Sequence, residues 1–195
     1  MTSKTEYFSR ILDGDKTKKQ WLRSHLSNVA ETAQRFAKEA HPSRQDDSQD
    51  AKQWKEAFQN TAWRAGALHD LGKYRKEFQE YLFGERDRGS ETNHSVYGSA
   101  AAWHHFCDVI SAFSIAGHHA GLYDCGNLDT LVNGKKYEAD RRYLSLLDLV
   151  QDGAELGPLP EIRPMSINED DEKEKRRYEF MTRVLFSMIV DADRL

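Results

Sequence analysis

Apolar side chains in this chain recur three and four residues apart along most of its length, and a segment with that spacing buries a single face only as a helix. Between Thr17 and Ala40 the stripe runs Leu22, Leu26, Val29, Ala33, Phe36 and Ala40, with His25 on the same face. Trp54, Phe58, Ala62, Ala65 and Leu68 predict a second helix from Ala51 to Leu71, closed by Gly72. A short helix is expected over Tyr74–Phe83, and one capped by Ser95 carries Val96, Ala100, Trp103 and Phe106. Further helices are predicted over Val109–His119, ended by Gly121, and over Tyr137–Val150. The last, Lys173–Leu195, has Tyr178, Met181, Leu185, Met188, Ile189 and Ala192 on one stripe, and its VLFSMIV run is apolar nearly all round, which predicts a buried helix.

Loops are expected at the polar stretch His41–Asp50, at the charged stretch Gly84–Asn93, and at the turn signals Gly126 and Asn133-Gly134. A long connection at about 152–172 holds Gly153, Pro158, Pro160, Pro164 and an acidic run, and is expected to be a mobile insertion. No alternating strand pattern and no internal repeat interrupts the series. The expected fold is all-α: a single helical bundle over residues 1–195.

A length of 195 residues suits one domain with a substantial core. No apolar run approaches the roughly 18 residues of a spanning helix, and MTSKTEYFSRILDGDK has no secretory apolar stretch, so a cytoplasmic protein without a membrane segment is expected. Cys107 and Cys125 lie outside any CxxC pair and are expected to be free thiols. A net charge of −4 is not the basic field that captures nucleic acid non-specifically. The basic groups Lys16, Lys18, Lys19 and Arg23, then Lys73, Arg75 and Lys76, then Arg141 and Arg142, are read as solvated helix faces.

The histidines constrain function more sharply. His25 lies on an apolar face, His69 follows Leu68, and His118-His119 close an apolar helix. Buried polar groups need partners. Imidazole and carboxylate are preferred ligands of divalent transition metals, so buried His and Asp in one chain point to a shared site. The most distinctive string is His69-Asp70-Leu71-Gly72-Lys73.

The order His25, His69-Asp70 with Gly72-Lys73, His94, His118-His119 and a late aspartate in VDADRL resembles the HD superfamily of metal-dependent phosphohydrolases. More narrowly, the strings HDLGK, KEFQEYL, NHSVYGS and AGHHAG resemble the HD nuclease domain of the type I CRISPR-associated helicase-nuclease. This resemblance implies two divalent metal ions. His25, His69, Asp70 and the late aspartate would hold one, and Asp70 would bridge to a second held by His94, His118 and His119. Two cations about 3.5 to 4 Å apart can clamp a phosphodiester and activate water. Asp70 and Lys73 would be catalytic, with Lys73 offsetting charge on the phosphate. Helical periodicity leaves Asp191 and Asp193 both open as the late ligand. The family's Ala-Asp pattern favours Asp193. His104-His105 matches no family ligand and is read as ordinary helix residues. Mn²⁺, Fe²⁺, Co²⁺, Ni²⁺, Zn²⁺ and Mg²⁺ remain open as the ion.

The implied substrate is single-stranded DNA, cut in CRISPR interference. The implied partners are a helicase module, in the same or a separate chain, and the CRISPR surveillance complex. No Walker-type Gly-Lys-Ser/Thr loop is present, so ATP use would lie elsewhere. The chain stops where a family helicase part would continue, which sets the expectation of an excised domain or a stand-alone subunit. The alternative in the same chemistry is a hydrolase of small or cyclic nucleotides, against which NHSVYGS and AGHHAG argue. A third reading, from another class, is a metal-stapled or metal-free interaction domain.

Overall fold

The computed structural model describes residues 6–40, 49–151, 159 and 171–195. Residues 41–48 of the loop expected at His41–Asp50, and nearly all of the insertion expected at about 152–172, lie outside the described residues, while residues 49 and 50 begin a helix. Eight helices follow a short hairpin among these residues: β1 (Phe8–Leu12), β2 (Asp15–Trp21), α1 (Leu22–Glu39), α2 (Gln49–Leu68), α3 (Lys76–Leu82), α4 (Ser95–Ala100), α5 (Val109–Gly117), α6 (Cys125–Asn133), α7 (Ala139–Gln151) and α8 (Glu172–Arg194). The all-α reading therefore holds for the bundle, and the expectation of no strands does not.

The hairpin replaces the start expected for α1. β1 and β2 pair antiparallel, with Phe8 opposite Trp21 and Leu12 opposite Asp15. Asp13 and Gly14 between them both have positive φ, 52° and 71°, the backbone that an Asp-Gly hairpin turn requires. Only Phe8 and Ser9 of the hairpin are buried, so neither strand shows the alternation by which a half-buried strand is recognised. Gln79 of α3 anchors it: the Phe8 amide donates to Gln79 Oε1 at 3.1 Å, and Gln79 Nε2 donates to the Phe8 carbonyl at 2.9 Å and to the Lys73 carbonyl at 2.7 Å.

α1 buries Leu22, His25, Leu26, Val29, Ala30, Ala33 and Ala37, one stripe at helical spacing, against α2 and α8. Gly66 lets α1 and α2 meet closely, since a β-carbon there would lie 2.6 Å from the Cα of Ala30. Every residue of α4 is buried, which places this short helix at the centre, packed on α5 and α7. α4 then widens into one turn closed by Phe106 N–H donating to the Ala101 carbonyl at 3.3 Å. α8 crosses α1 and α5 with Leu185, Met188, Ile189 and Ala192 inward and Ser187 and Asp191 exposed, so it is buried on one side rather than all round.

Several boundaries differ from expectation for local reasons. α2 stops at Leu68, and His69-Asp70 turn into a short 3₁₀ segment, Leu71–Tyr74, so Gly72 caps nothing. His94, not Ser95, precedes the first turn of α4. Gly126 lies inside α6, whose start is capped by Asp124 accepting the Asn127 amide at 2.7 Å. Lys16, Lys18 and Lys19 are on the hairpin rather than a helix, and Arg75 is buried, donating to the Glu91 carbonyl at 2.8 Å and pairing with Glu77 at 3.0 Å. Cys107 and Cys125 are free and exposed. Among the described residues no helix is long and apolar enough to cross a membrane.

One buried ion pair ties α2 to α5. Arg64 Nη2 donates to Asp108 Oδ2 at 2.7 Å, while Asp108 caps α5 by accepting the Ser111 amide at 3.0 Å and hydroxyl at 2.7 Å. Removing the carboxylate takes away the acceptor 2.7 Å from a buried guanidinium and the cap of α5 together. Asp108→Ala is expected to lower the unfolding free energy by about 3–5 kcal/mol, read by urea denaturation. A loss below about 1 kcal/mol would show that the pair does not tie the two helices.

Candidate metal centre

Five separate segments deliver side chains to one point. His25 comes from the buried stripe of α1, and His69 and Asp70 from the turn that ends α2. His94 sits at the start of α4, His118 and His119 directly follow α5, and Asp193 lies near the end of α8. The convergence divides into two groups that share Asp70: His25, His69, Asp70 and Asp193, and Asp70, His94, His118 and His119, the donor atoms within each lying within 4.8 Å of one another.

The two carboxylate oxygens of Asp70 face different groups. Oδ2 lies 3.1 Å from His25 Nε2, 3.2 Å from His69 Nε2 and 2.5 Å from Lys73 Nζ. Oδ1 lies 3.1 Å from His94 Nε2 and 3.7 Å from His118 Nε2. Asp193 Oδ1 closes the first group at 3.2 Å from His25 Nε2 and 3.5 Å from His69 Nε2. His119 Nε2 approaches His94 Nε2 at 3.0 Å, closing the second.

Backbone carbonyls fix two of these rings. His69 Nδ1 donates to the Gly66 carbonyl and His118 Nδ1 to the Ile115 carbonyl, each at 2.7 Å. A carbonyl only accepts, so Nδ1 carries the proton and Nε2 of the neutral ring turns its lone pair inward. His69 Nε2, His118 Nε2 and Asp70 Oδ1 are buried with no hydrogen-bond partner among the described residues. Buried polar atoms are almost always paired, and three that converge without partners are what a cation satisfies. The residues therefore fit divalent metal. The donor set of imidazole and carboxylate suits Mn²⁺, Fe²⁺, Co²⁺, Ni²⁺ or Zn²⁺ chemically.

Electrostatics agree with the packing. Burial disfavours charge on Asp70, yet His69, Lys73 and His94 around it hold its carboxyl well below the usual range. Burial likewise opposes charge on Asp193, and the imidazoles of His25 and His69 beside it outweigh that and lower its pKa. Burial opposes a proton on His69, but the carboxylates of Asp70 and Asp193 prevail and lift its pKa from 6.5 to about 9. His119 is pushed down to about 4 by burial and by its neighbours His118 and His94.

Gly72 makes room for the second group. A β-carbon there would meet the backbone of His94, 2.6 Å from its Cα, so only glycine lets the start of α4 come this close to Asp70. Phe78 packs edge-on against the His94 ring, centroids 5.1 Å apart. Phe78 and Gln79 have no signal of their own in the sequence beyond their place in KEFQEYL, and Gly72 reads there as a helix end within HDLGK.

Of the two late aspartates, Asp193 reaches the centre while Asp191 is exposed beside Phe36, Arg183 and Met188. His104 and His105 are exposed and belong to neither group. Every other residue expected at the centre, His25, His69, Asp70, Lys73, His94, His118 and His119, is brought there.

A helical bundle that gathers His and Asp side chains able to hold divalent metal is the architecture of a metal-dependent hydrolase class. A family model described as the HD domain matches residues 22–150, and the chain belongs to that family. The match begins where α1 begins and takes in the whole centre except Asp193. Comparison with the curated proteins gives no match. Membership makes this chain a metal-dependent phosphohydrolase by class.

The raised pKa of His69 makes stability depend on pH. Without metal, the protonated ring stabilises the fold fully below pH 6.5 and loses that contribution as pH rises through about 9, whereas the lowered Asp70 and Asp193 contribute above the ordinary carboxylate range and lose it as pH falls. A metal ligand must give up that proton. Mn²⁺ binding at pH 7 is expected to release about one proton and to tighten as pH rises towards 9, measured by titration calorimetry in two buffers of different ionisation enthalpy. Affinity independent of pH between 7 and 9 would contradict this assignment.

Proposed function

We propose that this chain is a two-metal phosphodiesterase that cuts single-stranded DNA in CRISPR interference. The observation that carries the chemistry is the division of the Asp70 oxygens between two groups of imidazoles. His25, His69, Asp70 and Asp193 would hold one ion, and Asp70, His94, His118 and His119 the other. Such a pair supplies Lewis-acid charge at the phosphate oxygens and an activated water.

The chain's own residues do the rest. Asp70, held anionic by its neighbours, supplies the shared charge. Gly66 and Ile115 orient the rings of His69 and His118 through their carbonyls. Lys73 brings an ammonium to the edge of the centre, where it can offset charge developing on phosphate. His69 is fully buried and His119 exposed, so substrate approaches from the His119 side.

Support for DNA as substrate comes from the resemblance of HDLGK, NHSVYGS and AGHHAG to the CRISPR-associated nuclease domain. A net charge of −4 is consistent with a domain that leaves strand delivery to a helicase module and a surveillance complex. One observation favours small nucleotides as a second reading: a cleft of about 610 Å³ opens beside His94 and His119, large enough for a free nucleotide.

Incubating the Mn²⁺-loaded protein with single-stranded DNA and with a panel of nucleoside triphosphates and cyclic nucleotides tests both. Strand cutting is expected, and His69→Ala is expected to lose bound metal together with more than 100-fold of the rate. Nucleotide turnover without strand cutting would overturn the substrate and keep the chemistry. Full metal content and activity in His69→Ala would overturn the centre itself.

A further inference from the structure

The cleft beside His94 and His119 is lined by tyrosines that none of the roles above uses. Phe78 and Tyr81 reach it from α3, Tyr123 from the segment between α5 and α6, and Tyr137 from the turn before α7. Asn93 and Arg88 complete its polar side. Tyr81, Tyr123 and Tyr137 are half-buried and Arg88 is exposed. Phe78 is buried, with its ring edge-on to both His94, at 5.1 Å, and Tyr81, at 6.1 Å, so it braces the wall rather than offering a free face.

Three features narrow the occupant. The aromatic rings come from three separate segments, which suits a flat, unsaturated ring system better than an extended aliphatic chain. No carboxylate lines the cleft among the described residues, so an anion can approach, and the Arg88 guanidinium pairs with no acidic group among those residues. The cleft also shares His94 and His119 with the second cation group, so a ligand seated here places its attached phosphate within reach of the centre.

We propose that the cleft takes the nucleobase next to the reacting phosphate, stacked on Tyr123 and Tyr81, with Asn93 facing the base edge and Arg88 the neighbouring phosphate. This rests on the phosphodiesterase reading and gives the centre a means of holding a strand despite an acidic chain. Base stacking is tolerant of sequence, so the cleft selects for the presence of a base and not for its identity.

The test uses the full chain in EDTA. Fluorescence anisotropy compares a short oligothymidylate with a strand of equal length made of abasic sugars. The wild type is expected to bind the base-bearing strand about tenfold more tightly. Tyr123→Ala and Tyr81→Ala are expected to bring that ratio towards one, and Tyr123→Phe to retain it, which separates loss of stacking from loss of fold. Equal binding of both strands by the wild type, or an unchanged ratio in both alanine variants, would overturn the proposal. Cleavage of the same oligothymidylate with Mn²⁺ is followed in parallel. Cutting without a base preference removes the cleft and leaves the phosphodiesterase reading. A base preference without cutting keeps the cleft and removes the strand-cutting reading.

Discussion

The carboxylate of Asp70 is the group around which the rest of this structure is arranged. It is buried, and an isolated carboxylate in such a place would take up a proton rather than stay charged. His25, His69, Lys73, His94 and His118 surround it, and they come from four different parts of the chain. The charge and its partners are therefore satisfied only once the bundle has closed, which couples the tertiary fold to the electrostatics of the centre. The same arrangement leaves inward-facing ring nitrogens on His69 and His118 that hydrogen bonding within the described residues does not use. Stability and the capacity to hold cations thus arise from one carboxylate.

Close approach of backbones makes that arrangement possible. Gly66 lets α1 lie against α2, so that His25 comes to Asp70 from one side. Gly72 lets the start of α4 come in from another, and Gly98 seats the buried α4 against the Leu68 carbonyl at the end of α2. A β-carbon at any of the three would force the elements apart, and side chains meeting at about 3 Å leave little room for such a shift. Gln79 extends this order outward by holding both the hairpin and the carbonyl of Lys73. A hairpin with little core of its own thereby becomes a brace for the turn that carries Lys73.

Much of this was legible in the sequence because its signals were periodic. His25 shares the apolar stripe of α1, so its burial followed from spacing, and the ordered histidines marked the segments that converge. The choice between Asp191 and Asp193 was not legible from spacing: the two lie about 200° apart around α8, and only the way that helix crosses α1 and α5 turns Asp193 inward. The hairpin escaped because DKTKKQW presents lysines to solvent on a strand with no buried face, although Asp-Gly marked its turn. α6 escaped because Gly126 reads as a breaker, while Asp124 as a cap and the buried pair Leu128 and Val132 were the quieter signals. Arg75 was hidden in a basic run, since its burial depends on Tyr97 and Glu91 from a later part of the chain.

On the reading proposed here, Asp70 serves two cation positions at once. Anomalous diffraction from crystals grown in excess Mn²⁺ tests it most directly. Two manganese peaks flanking Asp70 are expected, one bounded by His25, His69 and Asp193 and the other by His94, His118 and His119. Absence of anomalous signal at Asp70, with these imidazoles turned away from one another, would contradict it.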